Sequence, residues 1–421
     1  MEKKFNYYFA IYILSIICFA IFWLYLKHTV GNDSTISEWM LNYQGGFTRR
    51  GLPGEIAFHI ANFFEIKLRF VIFLIQSIFY TSFLLLIYYF FKNIRVKTII
   101  LFAIFTPIFL LYHVAELEIL ARKEIFLFIG YIWFYNISSN SDDVKKSMLW
   151  VIFILPIVSI LYEPSIFYYS FFVAVLLIKM RNQNLLKTLL TIFIIFVPAL
   201  VVSWFSATYL ISNENWIIMK DSLMNNFGER CYMACDYLQS KKSIKLQFLA
   251  TISKLTEKEF SIYAYLFRYF LILLVGFGPL IILTLNSKLN FNFLFFNRFK
   301  NIFIPFLLLN LLVPVHWLMF IDWGRAVNIT YVSSVLFFFY LYKNNLINID
   351  FDNIEKKTNK ILELIINKSF FKKKKSLLTF IFIIYGFGWS PPTLLSADVN
   401  SFPGYRIPYK TVKAIVQRLK N

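Results

Sequence analysis

Apolar residues run along this chain in long unbroken stretches, not in the alternation of a half-buried strand or the single stripe of a surface helix. A stretch of about 20 such residues is long enough to cross the roughly 30 Å hydrocarbon layer of a bilayer as a helix. On that criterion helices are predicted over 6–26, 68–91, 98–114, 119–137, 148–162, 165–179, 188–210, 263–285, 301–320, 326–342 and 376–391. The expected fold is all-α, a polytopic transmembrane helical bundle of about eleven spans over 1–391, followed by a basic amphipathic tail over 392–421. The fifth and sixth runs are short and meet at Glu163-Pro164, so they read either as two spans or as re-entrant or tilted segments. No small-residue cleavage site follows the first run, which reads as a retained anchor.

Two stretches depart from this pattern. In the tail, Val412, Ile415, Val416 and Leu419 recur at helical spacing, with Lys410, Lys413, Arg418 and Lys420 elsewhere around the helix. The segment from Ile354 to Phe371 has the same character, and both read as helices lying on a membrane surface.

Charge supplies an orientation. Lys3, Lys4, Lys92, Arg95, Lys97, Lys145, Lys146, Lys179, Arg181, Lys187, Lys288, Arg298 and Lys300 all fall in connections on one face, as does the basic segment 343–375. The positive-inside rule makes that face, and with it the N-terminus, cytoplasmic. The other face carries two large extracytoplasmic loops, 27–67 and 211–262, together with Arg122-Lys123-Glu124, Glu163-Pro164 and Ile321 to Arg325.

Composition agrees with this class. The 421 residues are 59% hydrophobic and 20% aromatic with only 16% charged, which excludes an ordinary soluble domain. The net charge of +20 sits largely beside the spans, where it meets membrane lipid headgroups, so no nucleic-acid partner is expected.

Candidate chemistry concentrates on the extracytoplasmic face. Arg49, Arg50, Arg122 and Arg325 have few carboxylates near them in sequence. They read either as interfacial anchors snorkelling to headgroups or as ligands for an anion, since a guanidinium grips phosphate oxygens two at a time. Gly45, Gly46, Gly51 and Gly54 around the first pair suggest close approach of backbone to such a ligand. Glu163 and Asp322 are the candidate catalytic bases, Asp322 being equally readable as a simple i, i+3 partner of Arg325. Further acids on this face are Asp33, Glu38, Glu55, Glu116, Glu118 and Glu124.

The scattered histidines His28, His59, His113 and His316 give no metal-ligand spacing, so neither a metal nor another cofactor is expected, and His316 reads as a packed helix residue. Asp350-Phe351-Asp352 resembles the DxD of nucleotide-sugar transferases but stands in a polar cytoplasmic segment. Cys231 and Cys235, four apart in the second large loop, are either bridged or two free thiols.

GGFTRRGLPGE (Gly45–Glu55), ARKEI (Ala121–Ile125), YEP (Tyr162–Pro164) and DWGRAVN (Asp322–Asn328) together resemble bacterial multi-span proteins of surface-polysaccharide assembly, similar to Wzy-type O-antigen or capsule polymerases. The likeness covers residues 1 to about 390, with Lys123-Glu124 standing where an arginine, lysine and aspartate run is expected. The resemblance implies a metal-independent glycosyltransferase of the bacterial inner membrane. It would join polyprenyl-pyrophosphate-linked oligosaccharide units at the periplasmic face into lipopolysaccharide O-antigen or capsule. It also implies a partner protein that sets chain length, and a place for Arg49, Arg50, Arg122 and Arg325 around the pyrophosphate. Two other readings stay open. One is a membrane glycosyltransferase using a polyprenyl-phosphate sugar, with Asp33 or Glu38 as its acid. The other is a flippase for lipid-linked sugars.

Overall fold

A computed structural model describes residues 2–30, 34–140, 143–239, 243–256, 262–291, 299–366, 373–393 and 415–416. Asp33, Arg298 and nearly all of the basic tail lie outside the described residues. The described chain is almost wholly α-helical. Its two short strands, Ser287–Leu289 and Ile347–Ile349, pair antiparallel with Ser287 opposite Ile349.

Among the described residues, six helices are long and apolar enough to cross a membrane: Lys4–His28, Leu68–Phe91, Val144–Leu161, Leu185–Thr208, Leu266–Leu285 and Trp323–Lys343. The remaining apolar runs of the sequence fold differently from the expected continuous spans. The run 98–114 is helical over Thr98–Ile104 and again only from Tyr112, with Pro107, which can neither donate to a helix nor leave room for the preceding turn, in the break between them. The chain then winds through irregular, buried backbone to a helix at Ile125–Asn140. The run 165–179 divides into a 3-10 turn, Glu163–Tyr168, and a helix, Tyr169–Lys179. The run 301–320 is cut into Phe303–Leu309 and Val313–Trp317, and the last run is a helix over Lys374–Phe387.

The centre of the bundle is the Trp323–Lys343 helix, which is buried along its whole length, whereas the first helix is buried over only about a third of its apolar window. This explains why the central helix can carry Arg325, Asn328, Thr330, Ser333 and Ser334, since none of them faces lipid. Asn328 turns its Nδ2 to the carbonyls of Ile108 and Phe109 at 2.9 and 3.1 Å, and the Tyr331 hydroxyl reaches the Ala103 carbonyl at 2.6 Å. Side chains of the central helix thus satisfy backbone groups that the break near Pro107 leaves unpaired. Irregular backbone in a membrane bundle is tolerable only with such partners.

The second large loop is folded. It forms helices Asn213–Phe227, Met233–Gln239 and Ile244–Thr256. Met233–Gln239 packs on the short helix Ser34–Met40 of the first loop. Phe351–Ile366 is the expected amphipathic helix, with Ile354 and Leu362 buried while Ile361 and Leu364 are exposed.

Candidate functional site: a buried arginine–glutamate cluster

Three elements bring the site together: the Gly45–Glu55 loop, the turn at Arg122 to Glu124, and the ends of the helices at Glu163 and Arg325. At their centre is Glu38 on the Ser34–Met40 helix, almost wholly buried. Its carboxylate accepts from Arg50 NH1 at 3.1 Å and from Arg122 Nε at 2.8 Å, and Arg325 NH2 lies 4.0 Å away. Arg50 also grips Glu163 with two donors, Nε at 2.6 Å and NH2 at 2.7 Å. Arg325 grips Glu124 in the same way, at 2.8 and 2.5 Å. Tyr162 lies beneath both guanidiniums, 5.5 Å from that of Arg50 and 5.9 Å from that of Arg325.

Lys123 is fully buried, and its ammonium donates to the Glu38 carbonyl at 2.7 Å and to the Arg50 carbonyl. Arg50 and Ala121 both sit in the left-handed backbone region, with φ of 61° and 51°. Such conformations cost a non-glycine residue on the order of 1–3 kcal/mol and persist only where neighbours hold them. Here Lys123 holds the Arg50 carbonyl, and Trp39 donates its Nε1–H to the Ala121 carbonyl at 3.1 Å.

The structure therefore brings Arg50, Arg122, Arg325 and Glu163 together, and it changes what they are. The arginines do not lack carboxylates; their partners are distant in sequence. Glu163 is not a free carboxylate, because both its oxygens are taken by Arg50. Arg49 stands at the edge, with its guanidinium 5.2 Å from the Tyr237 ring and its charge acting on Glu163. Asp322 precedes the central helix, makes no capping hydrogen bond, and acts electrostatically on Tyr112 and Tyr269, while Arg325 turns away from it to Glu124.

The glycines also differ from expectation. A Cβ at Gly54 would strike the Leu41 and Trp39 carbonyls, one at Gly51 would strike Thr48 and the Tyr43 ring, and one at Gly45 would strike the Asn215 carbonyl. They let the chain pack against itself, and the approach they permit is to protein, not to a ligand.

Three arginines (Arg50, Arg122, Arg325) face three carboxylates (Glu38, Glu124, Glu163); Lys123, whose pKa burial pushes down to about 7, adds up to one further positive charge, and Arg49 adds another at the rim. Exposure divides the cluster. The side chains of Arg50 and Arg122 are 23% and 15% exposed, against 6% for Arg325 and 1% for Glu124. Arg49, Arg50 and Arg122 can meet a ligand, while Arg325–Glu124 and Lys123 form the floor. Burial pushes the Glu38 carboxyl up, but Arg122, Arg325, Arg50 and Lys123 outweigh it and hold the group well below the usual carboxylate range. Glu163 is treated alike: burial raises it, while Arg50 and then Arg49 lower it.

Sequence reasoning placed Glu124 only among the further acids of this face, and Glu38 there and as a candidate acid of the polyprenyl-phosphate glycosyltransferase reading. The available signal was that acids and arginines recur together at the ends of apolar runs predicted to open on one side.

The Cys231–Cys235 pair is bridged, with Cα atoms 5.5 Å apart. Cys231 Sγ lies 3.8 Å from the carbonyl of Ser37, next to Glu38, and Trp216 donates to the Cys235 carbonyl at 2.9 Å. Arg69 ties the same segment down through Glu229 at 2.7 Å. The DFD triplet has a local role, since Asp350 caps the following helix through the Asn353 N–H at 3.0 Å.

The fold and site define an all-α, membrane-embedded protein with an ionic cluster buried among helix ends. No protein-family model, curated protein or solved structure matches the chain.

Proposed function

We propose that the chain is a polysaccharide polymerase of the bacterial inner membrane. It joins polyprenyl-pyrophosphate-linked oligosaccharide units at the periplasmic face, and Arg49, Arg50 and Arg122 hold the pyrophosphate. The observation that carries this reading is the convergence on one buried glutamate of arginines 12, 84 and 287 residues away along the chain, with positive charge to spare. Sugar transfer from a lipid pyrophosphate starts from a good leaving group, and its main need is fixed positive charge where the departing phosphates gain negative charge. Donors already oriented by Glu38 and Glu163 supply that charge without reorganising. In a deletion strain, single repeat units should remain on the lipid core and the long polymer ladder should vanish. Absence of any repeat unit, or an unchanged ladder, refutes the reading.

A second reading, a glycosyltransferase with a polyprenyl-phosphate sugar donor, is favoured by the central place of Glu38 in the first large loop. The two differ in the anion they prefer. Inorganic pyrophosphate binding at least tenfold tighter than phosphate to the purified protein supports the first, and the reverse order supports the second.

A further inference from the structure

Every glutamate of the cluster is engaged by an arginine, and the transfer still needs somewhere for the proton of the attacking hydroxyl to go. Among the described residues, two buried histidines stand beside these arginines with no ion pair, His113 and His316, and His316 is the one tied to the turn that carries Glu163. It lies in the Val313–Trp317 helix, its ring stacked on Phe167 at 5.2 Å and 12° and flanked by Phe320 at 4.5 Å. Its Nδ1 is 3.1 Å from the Tyr168 hydroxyl, and the charged groups that act on it are Arg325 and Arg50. Its Nε2 makes no hydrogen bond to a described residue.

The turn Glu163–Tyr168 links the two halves of this arrangement, with Glu163 at one end holding Arg50 and Tyr168 at the other holding His316. Tyr168 is itself anchored, since its carbonyl accepts from the Tyr131 hydroxyl at 2.9 Å. A ring stacked on Phe167 and flanked by Phe320, with Nδ1 tethered and Nε2 without a hydrogen bond among the described residues, is oriented as a general base must be.

We infer that His316 is the proton acceptor of the transfer, an assignment that rests on the function proposed above. With Nδ1–H donating to the Tyr168 oxygen, Nε2 carries the lone pair. The acceptor hydroxyl oxygen bonds to the anomeric carbon of the donor sugar as the bond from that carbon to the pyrophosphate oxygen breaks. The bonding pair leaves with the pyrophosphate beside the arginines. The hydroxyl proton passes to Nε2, and the imidazolium returns it to water. Asp322, the other candidate base of the sequence, acts on Tyr112 and Tyr269.

The test uses the full chain in membranes of a deletion strain, which hold the strain's own accumulated lipid-linked units. Polymer formation by His316→Gln should fall about 10²–10⁴-fold, the usual share of a general base, and Asp322→Asn should keep more than a tenth of it. Binding of inorganic pyrophosphate to His316→Gln should stay within about twofold of wild type. If His316→Gln loses pyrophosphate binding as well, His316→Gly decides: rescue of polymer formation by added imidazole supports the inference, and no rescue overturns it. A His316→Gln protein with more than a tenth of wild-type activity also overturns it. Membranes in which even wild type consumes no lipid-linked unit would refute the polymerase reading instead.

Discussion

Replacing Glu38 by glutamine should weaken the fold and strengthen anion binding at the same time. The carboxylate receives Arg50 and Arg122 at 3.1 and 2.8 Å and lies 4.0 Å from Arg325, all within a buried site. Removing one partner of a buried ion pair costs about 3–5 kcal/mol, mostly because the other charge is left uncompensated. At roughly 2 cal/mol/K of unfolding entropy per residue, a chain of 421 residues should lose about 3–6 °C in melting temperature. The same change raises the net charge of the cluster by one unit. At an effective dielectric of about 20 and a separation of about 6 Å, one added unit charge is worth roughly 3 kcal/mol towards an anion. Partial exposure of Arg50 and Arg122 screens this, so a gain of about tenfold in pyrophosphate affinity is the working expectation. The assay is a thermal melt of the protein in lipid nanodiscs, with and without inorganic pyrophosphate. Glu38→Gln should melt lower than wild type without the anion and show a larger upward shift with it. An unchanged melting temperature would remove Glu38 from the centre of the cluster, and a smaller anion-induced shift would refute the charge argument.

Three further outcomes follow from the same geometry. Glu38 and Glu163 are both held below the usual carboxylate range, so the stability they add is fully present above the unfolded value of about 4.3 and is lost as pH falls towards their folded values. Melting temperature should therefore drop below about pH 4, and the drop should be shallower in a Glu38→Gln, Glu163→Gln double variant. Replacing both Cys231 and Cys235 by serine, or reducing the bridge, should loosen the segment that packs on the Glu38 helix and cut polymer formation, with protease cleavage within 211–239 increased; unchanged cleavage would refute this role. Gly54→Ala should be destabilising by several kcal/mol, because the added methyl meets two backbone carbonyls, and a melt within 1–2 °C of wild type would show that the loop can shift.

The long helices were legible because an unbroken apolar run of 18–25 residues has few alternatives, and three of them continue through an internal proline, Pro156, Pro198 and Pro279. Leu68–Phe91 matches its predicted limits, and Ile262–Leu285 and Trp323–Lys343 lie within a few residues of theirs. The breaks at 105–124 and 310–322 were not legible, because hydropathy registers composition and is blind to backbone path: Phe-Thr-Pro-Ile-Phe is as apolar as a helix that continues. Asn328 and Ser333 stayed within the predicted span 326–342 despite their polarity, and both are buried at the centre of the bundle. At the site, the types of residue were readable and their pairing was not. Arg325 and Glu124 are 201 residues apart, and nothing in either neighbourhood specifies the other. Arginines that look unpartnered in sequence suggested a ligand too directly, and the glycines beside Arg49 and Arg50 suggested room for one where the chain itself fills the space.

That pairing bears on what the cluster is for. Some of its donors answer to backbone: Lys123 and Trp39 bind carbonyls of strained or irregular chain, as Asn328 does deeper in the bundle, and these groups are accounted for by folding alone. The arginines answer only partly to backbone, for among the described residues Arg122 reaches one carbonyl, that of Glu118, at 3.4 Å, and otherwise all of them meet carboxylates. Buried ion pairs of that kind are a poor source of stability, since well-packed apolar side chains of similar volume often do as well or better. Folding therefore does not require seven charged groups there. The pyrophosphate site proposed above would use them: carboxylates that engage a guanidinium fix the plane in which its remaining N–H groups would meet phosphate oxygens. On that proposal the gradient from the sealed Arg325–Glu124 pair to the more open edge of Arg49, Arg50 and Arg122 gives the anion one side from which to approach.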